Sequence, residues 1–367
     1  MFPRDVIPAG PVVLRAPADA DAEPIARACA DPLVSRFLPS VPVPYTHADA
    51  LDRLSAAERT WRSGGASFAV AHAGTGEWVG AVELGTPDLR GNGEIGCLVA
   101  PWARGRGVAT AAVRALAGWA FAHGVRRVEM LADVENLTAH RVAMASGFHH
   151  EGVRRSAETR RDGTRGDLVA FARPYGDGGD PVRPFLPGFP GGSLSDGVVR
   201  LAPLAAADSG DYHAMRNLPD VMHYSVPPEA PDPVESETRC REAGMRRLTG
   251  DRLELAVRDA VTDAFAGHIQ LSMIIPALGQ AMTGYSMLPE FRGRGFATRA
   301  VTLLVEWAFE HTSLDRIVAG TAPENVASQR VLERAGFTRE ALLRGLLPGP
   351  DGTRLDDLQW CRLRPRR

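Results

Sequence analysis

The sequence predicts an α+β protein, a mixed and mostly antiparallel central sheet flanked by helices, and predicts that architecture twice over. Three observations carry this. The segment from Arg104, RGRGVATAAVRALAGWAF, returns 188 residues later from Arg292 as RGRGFATRAVTLLVEWAF, with twelve of eighteen positions identical. Residues 135–148 (ENLTAHRVAMASGF) return as 324–337 (ENVASQRVLERAGF) at an offset of 189, with six of fourteen identical. Within each copy, short apolar strand-like runs stand before and after longer runs of helical period. The starts and ends of the copies also match: Val12-Val13-Leu14-Arg15 resembles Val198-Val199-Arg200-Leu201, and Asp162-Gly163-Thr164-Arg165 returns as Asp351-Gly352-Thr353-Arg354. Solenoid repeats run at roughly 20 to 50 residues, so a period this long is the duplication of a whole domain. Between the copies, residues 175–192 (YGDGGDPVRPFLPGFPGG) hold six glycines and four prolines and read as a linker. The expected organisation is a domain over 1–175, a linker over 176–193 and a domain over 194–367. Phe185, Leu186 and Phe189 are unusual for a free tether, so the linker is expected to lie against one or both domains.

The elements follow in order. Residues 12–15 form a β-branched strand. Residues 21–30 read as a helix with Asp21 as N-cap, Pro24 inside the first turn and closure before Pro32. A second helix over 50–62 carries an apolar stripe through Leu51, Leu54, Ala57 and Trp61. Strands follow at 67–71, 78–84 and 94–99, the last two joined by a turn rich in Gly, Pro and Asn. The shared block begins in a loop and becomes a helix over 109–122. A strand at 128–132, a helix at 137–145 stopped by Gly147, and strands near 152–155 and 167–172 complete the copy. The second copy repeats this order, with less regular early helices between Asp208 and Leu248.

Composition narrows the chemistry. All 42 basic residues are arginines, against 44 acidic residues and a net charge of −2. Without lysine, the chain has no phosphate-loop lysine, pyridoxal Schiff base or kinase strand lysine. Arginine does not substitute, because its planar guanidinium stays protonated. The charge balance does not point to nucleic acid. Cys29, Cys97, Cys240 and Cys361 are scattered, which implies neither a disulfide framework nor a zinc site. With no secretory leader at the start and no run of transmembrane length, the expectation is a cytoplasmic protein without membrane contact.

The segment Arg104-Gly105-Arg106-Gly107-Val108-Ala109 lies between a strand and a helix. Glycines there permit positive φ, and the first helical turn presents unpaired N–H groups, so the turn is a ready site for an anion. Two arginines in the same turn add charge-assisted donors for phosphate oxygens. A dinucleotide fold is rejected, because the preceding strands read as hairpins rather than a βαβ unit.

An R-x-x-G-x-A segment after a strand, followed some 30 residues later by an N-x-x-[S/A] helix ending in Gly-Phe, resembles the GNAT superfamily of acyl-CoA-dependent N-acyltransferases. The resemblance covers both halves and implies two copies of the acyl-CoA N-acyltransferase fold, with acetyl-CoA (CoA) as cofactor. The runs Val12-Val13-Leu14-Arg15, Asp31-Pro32-Leu33-Val34 and Phe37-Leu38-Pro39 look most like the branch that acetylates ribosomal-protein N-termini, including ribosomal-protein-alanine N-acetyltransferases. The resemblance implies that Arg104, Gly105, Arg106, Gly107, Val108 and Ala109, and in the second copy Arg292, Gly293, Arg294, Gly295, Phe296 and Ala297, hold the CoA pyrophosphate. It implies that Leu98, Val99 and Ala100, and Ser286, Met287 and Leu288, offer backbone partners to the pantetheine arm. Asn136 and Asn325 match an asparagine that contacts CoA, and both also suit a helix N-cap.

Acetyl transfer to an amine needs a neutral amine, a polarised thioester carbonyl and a proton donor for the leaving thiolate. The family resemblance implies direct attack within a ternary complex. Glu94 is the candidate base, its pKa expected to be raised by partial burial; the position aligned with it in the second copy is Met282. The family's tyrosine four residues before Gly-Phe is replaced by Ala143 and Leu332. Ser328 fits the serine used instead by the N-terminal-acetylating branch, whereas the first copy has Ala139 there. Each copy thus keeps one catalytic candidate. His140, His149 and His150 read as surface residues near a helix end, and Cys97 as a small core residue. The expected partner is a small-molecule or peptide amine acceptor. The alternative is a cofactor-sensing or scaffold protein in which one or both copies have lost turnover. The oligomeric state is not legible.

Overall fold

The computed structural model describes residues 2–349 and 352–366. Asp351, which opens the second Asp-Gly-Thr-Arg match, lies outside the described residues. The chain divides into two compact units, Met1–Arg183 and Pro184–Arg367. In the first unit the strands are β1 (Ile7–Ala9), β2 (Val12–Arg15), β3 (Ala66–His72), β4 (Trp78–Leu84), β5 (Asn92–Val99), β6 (Arg127–Asp133), β7 (His149–Thr159) and β8 (Arg165–Pro174). The helices are α1 (Ala22–Cys29), α2 (Pro32–Phe37), α3 (His47–Arg62), α4 (Val108–Ala122) and α5 (Leu137–Ala145). They flank one sheet in the order β1-β2-β3-β4-β5-β6-β8-β7, antiparallel except for the β5–β6 pair.

The second unit repeats the plan with β9 (Leu194–Ser195), β10 (Val199–Pro203), β11 (Leu253–Asp259), β12 (Phe265–Ile275), β13 (Gln280–Met287), β14 (Arg316–Thr321), β15 (Thr338–Pro348) and β16 (Arg354–Leu363). Its helices are α6 (Ser209–Arg216), α7 (Pro219–His223), α8 (Pro233–Thr249), α9 (Phe296–His311) and α10 (Val326–Arg334). Its sheet runs β9-β10-β11-β12-β13-β14-β16-β15, with β13–β14 the parallel pair.

Local chemistry explains the elements. In α4, Val108, Ala112, Val113, Leu116, Ala117, Trp119 and Ala120 are buried, the spacing of one helix face laid on a sheet. The duplicated tryptophan and phenylalanine serve the same packing in α9, where Trp307 and Phe309 are buried. Helix α3 starts at His47, earlier than its apolar stripe suggests, because Thr46 and Asp49 form a reciprocal capping box. Its buried face runs through Ala50, Ala57 and Trp61, while Leu51 is 43% exposed. The expected stripe is therefore correct at Ala57 and Trp61 and wrong at Leu51, which lies one residue off the contact face. Asp21 does not cap α1. Its buried carboxylate accepts from the Ala18 N–H at 2.9 Å and from Arg15 at 2.7 Å, closing a short 3-10 turn ahead of the helix. The final hairpins are longer than their apolar content suggests, since β7 is exposed along most of its length and β8 supplies the burial.

The Pro/Gly segment carries part of the second core. Leu186 is fully buried, Phe189 packs its ring 4.8 Å from that of Trp307, and Arg247 donates to the Leu186 carbonyl at 3.0 Å. In the first unit, the Val182 N–H bonds to the Met144 carbonyl at 2.8 Å. No helix among the described residues is long and apolar enough to cross a membrane.

Leu186→Ala is expected to destabilise the second unit by about 2–4 kcal/mol in urea denaturation, the range for a buried leucine that leaves a cavity. Leu278→Ala, at a position 68% exposed, should be close to neutral.

Candidate active site

The parallel pair at the centre of each sheet comes apart. β5 and β6 are in register at Asn92–Arg127, Gly93–Val128 and Glu94–Glu129, and no rung follows. From Ile95 to Val99, β5 pairs only with β4. The second unit parts at the same place: the last rung is Met282–Val318, and the rest of β13 pairs with β12 alone. Leu98, Val99 and Ser286, Met287 therefore stand on strand ends with one backbone edge open, and Ala100 and Leu288 follow directly. An open strand edge inside a sheet is a template for an extended ligand that carries amide groups.

The open edge leads into the glycine-rich turn. Gly107 (φ 74°) and Gly295 (φ 81°) are the left-handed N-caps of α4 and α9, a conformation in which a side chain would be strained. A Cβ built on Gly105, Gly107, Gly293 or Gly295 would meet nothing within 4 Å. The turns are thus bare cradles at the N-termini of buried helices, suited to a phosphate group. Residues 104–107 and 292–295 are exposed, whereas Val108 and Phe296 are buried and Ala109 and Ala297 partly so.

The arginines of the turn are not all free for a ligand. Arg104 is paired with Asp31, the N-cap of α2, at 2.7 Å, and Arg292 is paired with Asp220 of α7 while donating to the Met287 carbonyl at 2.9 Å. Arg294 lies over the rings of Phe291 and Phe296 at 5.4 and 5.1 Å. Arg106 is exposed and makes no ion pair among the described residues. The expectation of two side-chain phosphate donors per turn is corrected on this point, because the first arginine of each turn ties the loop to an early helix. Asn136 and Asn325 cap α5 and α10, accepting from the Ala139 and Ser328 N–H groups, each at 3.1 Å.

Register places the candidate carboxylates on one face of the first sheet. Glu94 and Glu129 are a rung, Asp133 follows Glu129 by four residues, and Arg154 and Glu158 reach the same face from β7 through their pairing with β8. Arg154 pairs with Glu129 at 2.5 Å and Arg160 with Asp133 at 3.4 Å, whereas Glu94 and Glu158 have no ion pair among the described residues. Partial burial raises the Glu94 carboxyl above its ordinary range, Arg154 opposes that, and the Glu129 charge adds to it. Glu158 is raised likewise by burial and by Asp133. At the matching positions the second copy has Met282, Val318, Ala322 and Leu347, and Leu343 for Arg154.

On the opposite face, the Tyr285 hydroxyl lies 2.9 Å from Ser328 Oγ and 3.2 Å from the Ser328 carbonyl, and burial pushes the phenol up to about 12. A phenol of that pKa is a proton donor held ready by its neighbour. The first copy has Cys97 and Ala139 at these positions, and burial pushes the Cys97 thiol up to about 12, which makes it a poor nucleophile. His149 and His150 are exposed, as expected. His140 is not a surface residue: it is fully buried, its Nε2 lies 3.0 Å from the Asp133 carbonyl, and burial lowers its pKa to about 4. Glu158 and Tyr285 escaped the sequence reading. Comparing the two copies position by position along β7 and β13 would have marked both, as a carboxylate facing a leucine and a phenol facing a thiol.

A family model described as Acetyltransferase (GNAT) domain matches residues 12–149 and again 199–338, well over half of the chain. The chain belongs to the GNAT acetyltransferase family, a family of acetyl-CoA-dependent acyltransferases. It is similar to the probable N-acetyltransferase YjcK of Bacillus subtilis (strain 168), 43% identical over 113 residues that make up 30% of this chain and 62% of that protein. It is also similar to the uncharacterized N-acetyltransferase p20 of Bacillus licheniformis, 35% identical over 94 residues, 26% of this chain and 52% of that protein. Each match thus spans less than two thirds of the relative's length. Among solved structures, Mycobacterium smegmatis RimJ in complex with CoA-disulfide is 24% identical, with 50% of this chain and 90% of that chain covered at a TM-score of 0.42.

Loss of the α10 cap in Asn325→Ala is expected to lower the stability of the second unit by about 1 kcal/mol in thermal melts, and Asn325→Asp should restore most of it.

Proposed function

We propose that the chain is a tandem N-acetyltransferase that moves acetyl from acetyl-CoA to a primary amine, a protein N-terminus or a small-molecule amine, by direct attack in a ternary complex. The observation that carries this reading is the parted strand pair running into a bare glycine turn, present in both copies. The open edges at 98–100 and 286–288 suit the amides of the pantetheine arm. The turns at 104–109 and 292–297 suit the pyrophosphate, with Asn136 and Asn325 beside the arm. When bound, acetyl-CoA supplies a thioester carbonyl for the amine.

In the first copy Glu94 accepts the ammonium proton. Its raised pKa matches that task, and the carboxylates beside it draw a cationic acceptor toward the open face. In the second copy Ser328, bonded to Tyr285, returns a proton to the leaving thiolate. The ribosomal-protein branch, suggested by the early helices, makes an N-terminal α-amine one acceptor to test. A second reading, a cofactor-sensing or scaffold role for one copy, draws on the split of Glu94 and Ser328 between the copies.

Thiol release from acetyl-CoA on a panel of primary amines tests the activity. Gly107→Glu should weaken CoA binding by the first copy at least about tenfold, since it strains the turn and puts a carboxylate where phosphate is to sit; calorimetry should then show one CoA per chain in place of two. Glu94→Gln and Ser328→Ala should each lower turnover by about 10²-fold or more in their own copy. Unchanged turnover in both would remove these two assignments.

A further inference from the structure

The second copy lacks a carboxylate at the Glu94 position, yet its sheet carries one on the same face from another strand. Asp357 lies on β16 and is 4% exposed. Thr321 pairs with Leu358, so Asp357 faces the same side of the sheet as Gly320 and Val318, and Met282 is the rung partner of Val318. Its carboxylate leans over Gly320: a Cβ on that glycine would stand 2.6 and 2.7 Å from the two carboxylate oxygens. Gly320 lies two residues beyond the last β13–β14 rung, on the parted arm of β14, and is itself exposed, so the carboxylate stands beside the arm of β14 that leaves the sheet.

The first copy shows what these positions hold without a carboxylate. There, the residues matching Gly320 and Asp357 are Leu131 and Leu168, both partly buried. A leucine at 320 would collide with Asp357. Where the first copy has two leucines, the second thus has an aspartate and a glycine small enough to sit beneath it, and where the first has carboxylates at 94, 129, 133 and 158 the second has apolar residues.

A buried carboxylate kept for structure is normally surrounded by partners, and this copy has one for comparison. Glu254, 2% exposed, is bonded to His268 and pairs with Arg239 at 2.9 Å and Arg252 at 3.4 Å; these partners outweigh burial and hold it down to about 2. Asp357 has no hydrogen bond or ion pair among the described residues, and burial alone pushes it up to about 6. Toward it face Gly320 from β14, Leu343 and Leu347 from β15 and Gln359 on β16, none of them ionisable, and no charged group of any neighbouring element moves its pKa. An unpaired carboxylate in such a place is unfavourable for stability and matches a proton acceptor working near neutral pH.

We propose that Asp357 is the general base of the second copy, so that this copy carries a complete proton route of its own. The proposal rests on the acetyltransferase reading above. Asp357 takes one proton from the acceptor's ammonium group; the freed nitrogen lone pair forms the C–N bond to the thioester carbonyl and the C–S bond breaks. The thiolate takes a proton from the Ser328–Tyr285 hydroxyl pair, which is made good by the second proton leaving the nitrogen, and Asp357 releases its proton to water. The wall beside it, Met282, Val318, Leu343 and Leu347, selects a primary amine with an apolar neighbouring group rather than a polycation.

The test uses the full chain carrying Gly107→Glu and Glu94→Gln together to silence the first copy, assayed with phenethylamine, spermidine and an N-terminal alanine peptide. Asp357→Asn should lower kcat by about 10²- to 10⁴-fold, leave CoA affinity unchanged and abolish the fall in rate below about pH 6; Asp357→Glu should keep part of the rate. Stability gives a readout independent of turnover. A carboxyl whose folded pKa lies above its unfolded value makes the fold more stable as pH falls through about 6 toward 4 and least stable above 6. Asp357→Asn should thus raise Tm at pH 8 by a few degrees and not at pH 4.5. Wild-type rate and pH limb in Asp357→Asn would overturn the assignment, as would a lowered Tm at pH 8, which would make the carboxylate structural. Absence of thiol release from the wild-type chain on every amine, with CoA still bound, would instead overturn the acetyltransferase reading and the base with it.

Discussion

Each unit depends on a strand pair that is allowed to separate. Three rungs hold β5 to β6, and three hold β13 to β14; beyond them each strand is kept in place by its other neighbour. Opening a sheet at its centre leaves backbone donors and acceptors without partners, which is unfavourable unless a ligand or water takes them. The flanking structure makes the opening tolerable. α4 and α9 bury one full face each against the sheet, and their N-termini are placed at the mouth of the gap.

The ion pairs of the first turn arginine add a constraint of their own. Arg104 and Arg292 tie the turn to α2 and α7 through Asp31 and Asp220, so the glycine backbone, rather than the first guanidinium of each turn, is left to meet a ligand. An all-arginine chain achieves this without lysine because the guanidinium fork can bond a carboxylate and a carbonyl at once, as Arg292 does. The copies then diverge where side chains, not backbone, face the gap. The first copy concentrates carboxylates on one face, and the second has a phenol bonded to a serine on the other and an isolated aspartate on the first.

Much of this was legible in the sequence because duplication made it so. The twin turns, the helices behind them and the Asn caps are short-range features, and their spacing survives in both copies. The order of elements followed from apolar period. What was not legible depends on register between strands far apart in the chain. Glu158 reaches the site through a hairpin whose pairing contains irregularities, so counting alternate residues does not say which face it occupies, and Asp357 is placed only by the pairing of β16 with β14. His140 is a polar letter in a short helix, and only the packing of Phe171 and β6 around it shows it is sealed. Leu51 was misplaced because α3 turns Ala50 inward, a one-residue rotation that a coarse stripe cannot resolve.

The burial of Leu186 and Phe189 bears on how the halves are separated in the laboratory. The composition of the Pro/Gly segment invites a cut near Leu194, where β9 begins, but a second copy started there would lose two apolar side chains from its own interior and the carbonyl that Arg247 binds. A fragment starting at Pro184 retains all three. What looks like a tether by its letters thus belongs, for its latter half, to the inheritance of the second copy, and separation of the two copies is best made on its upstream side.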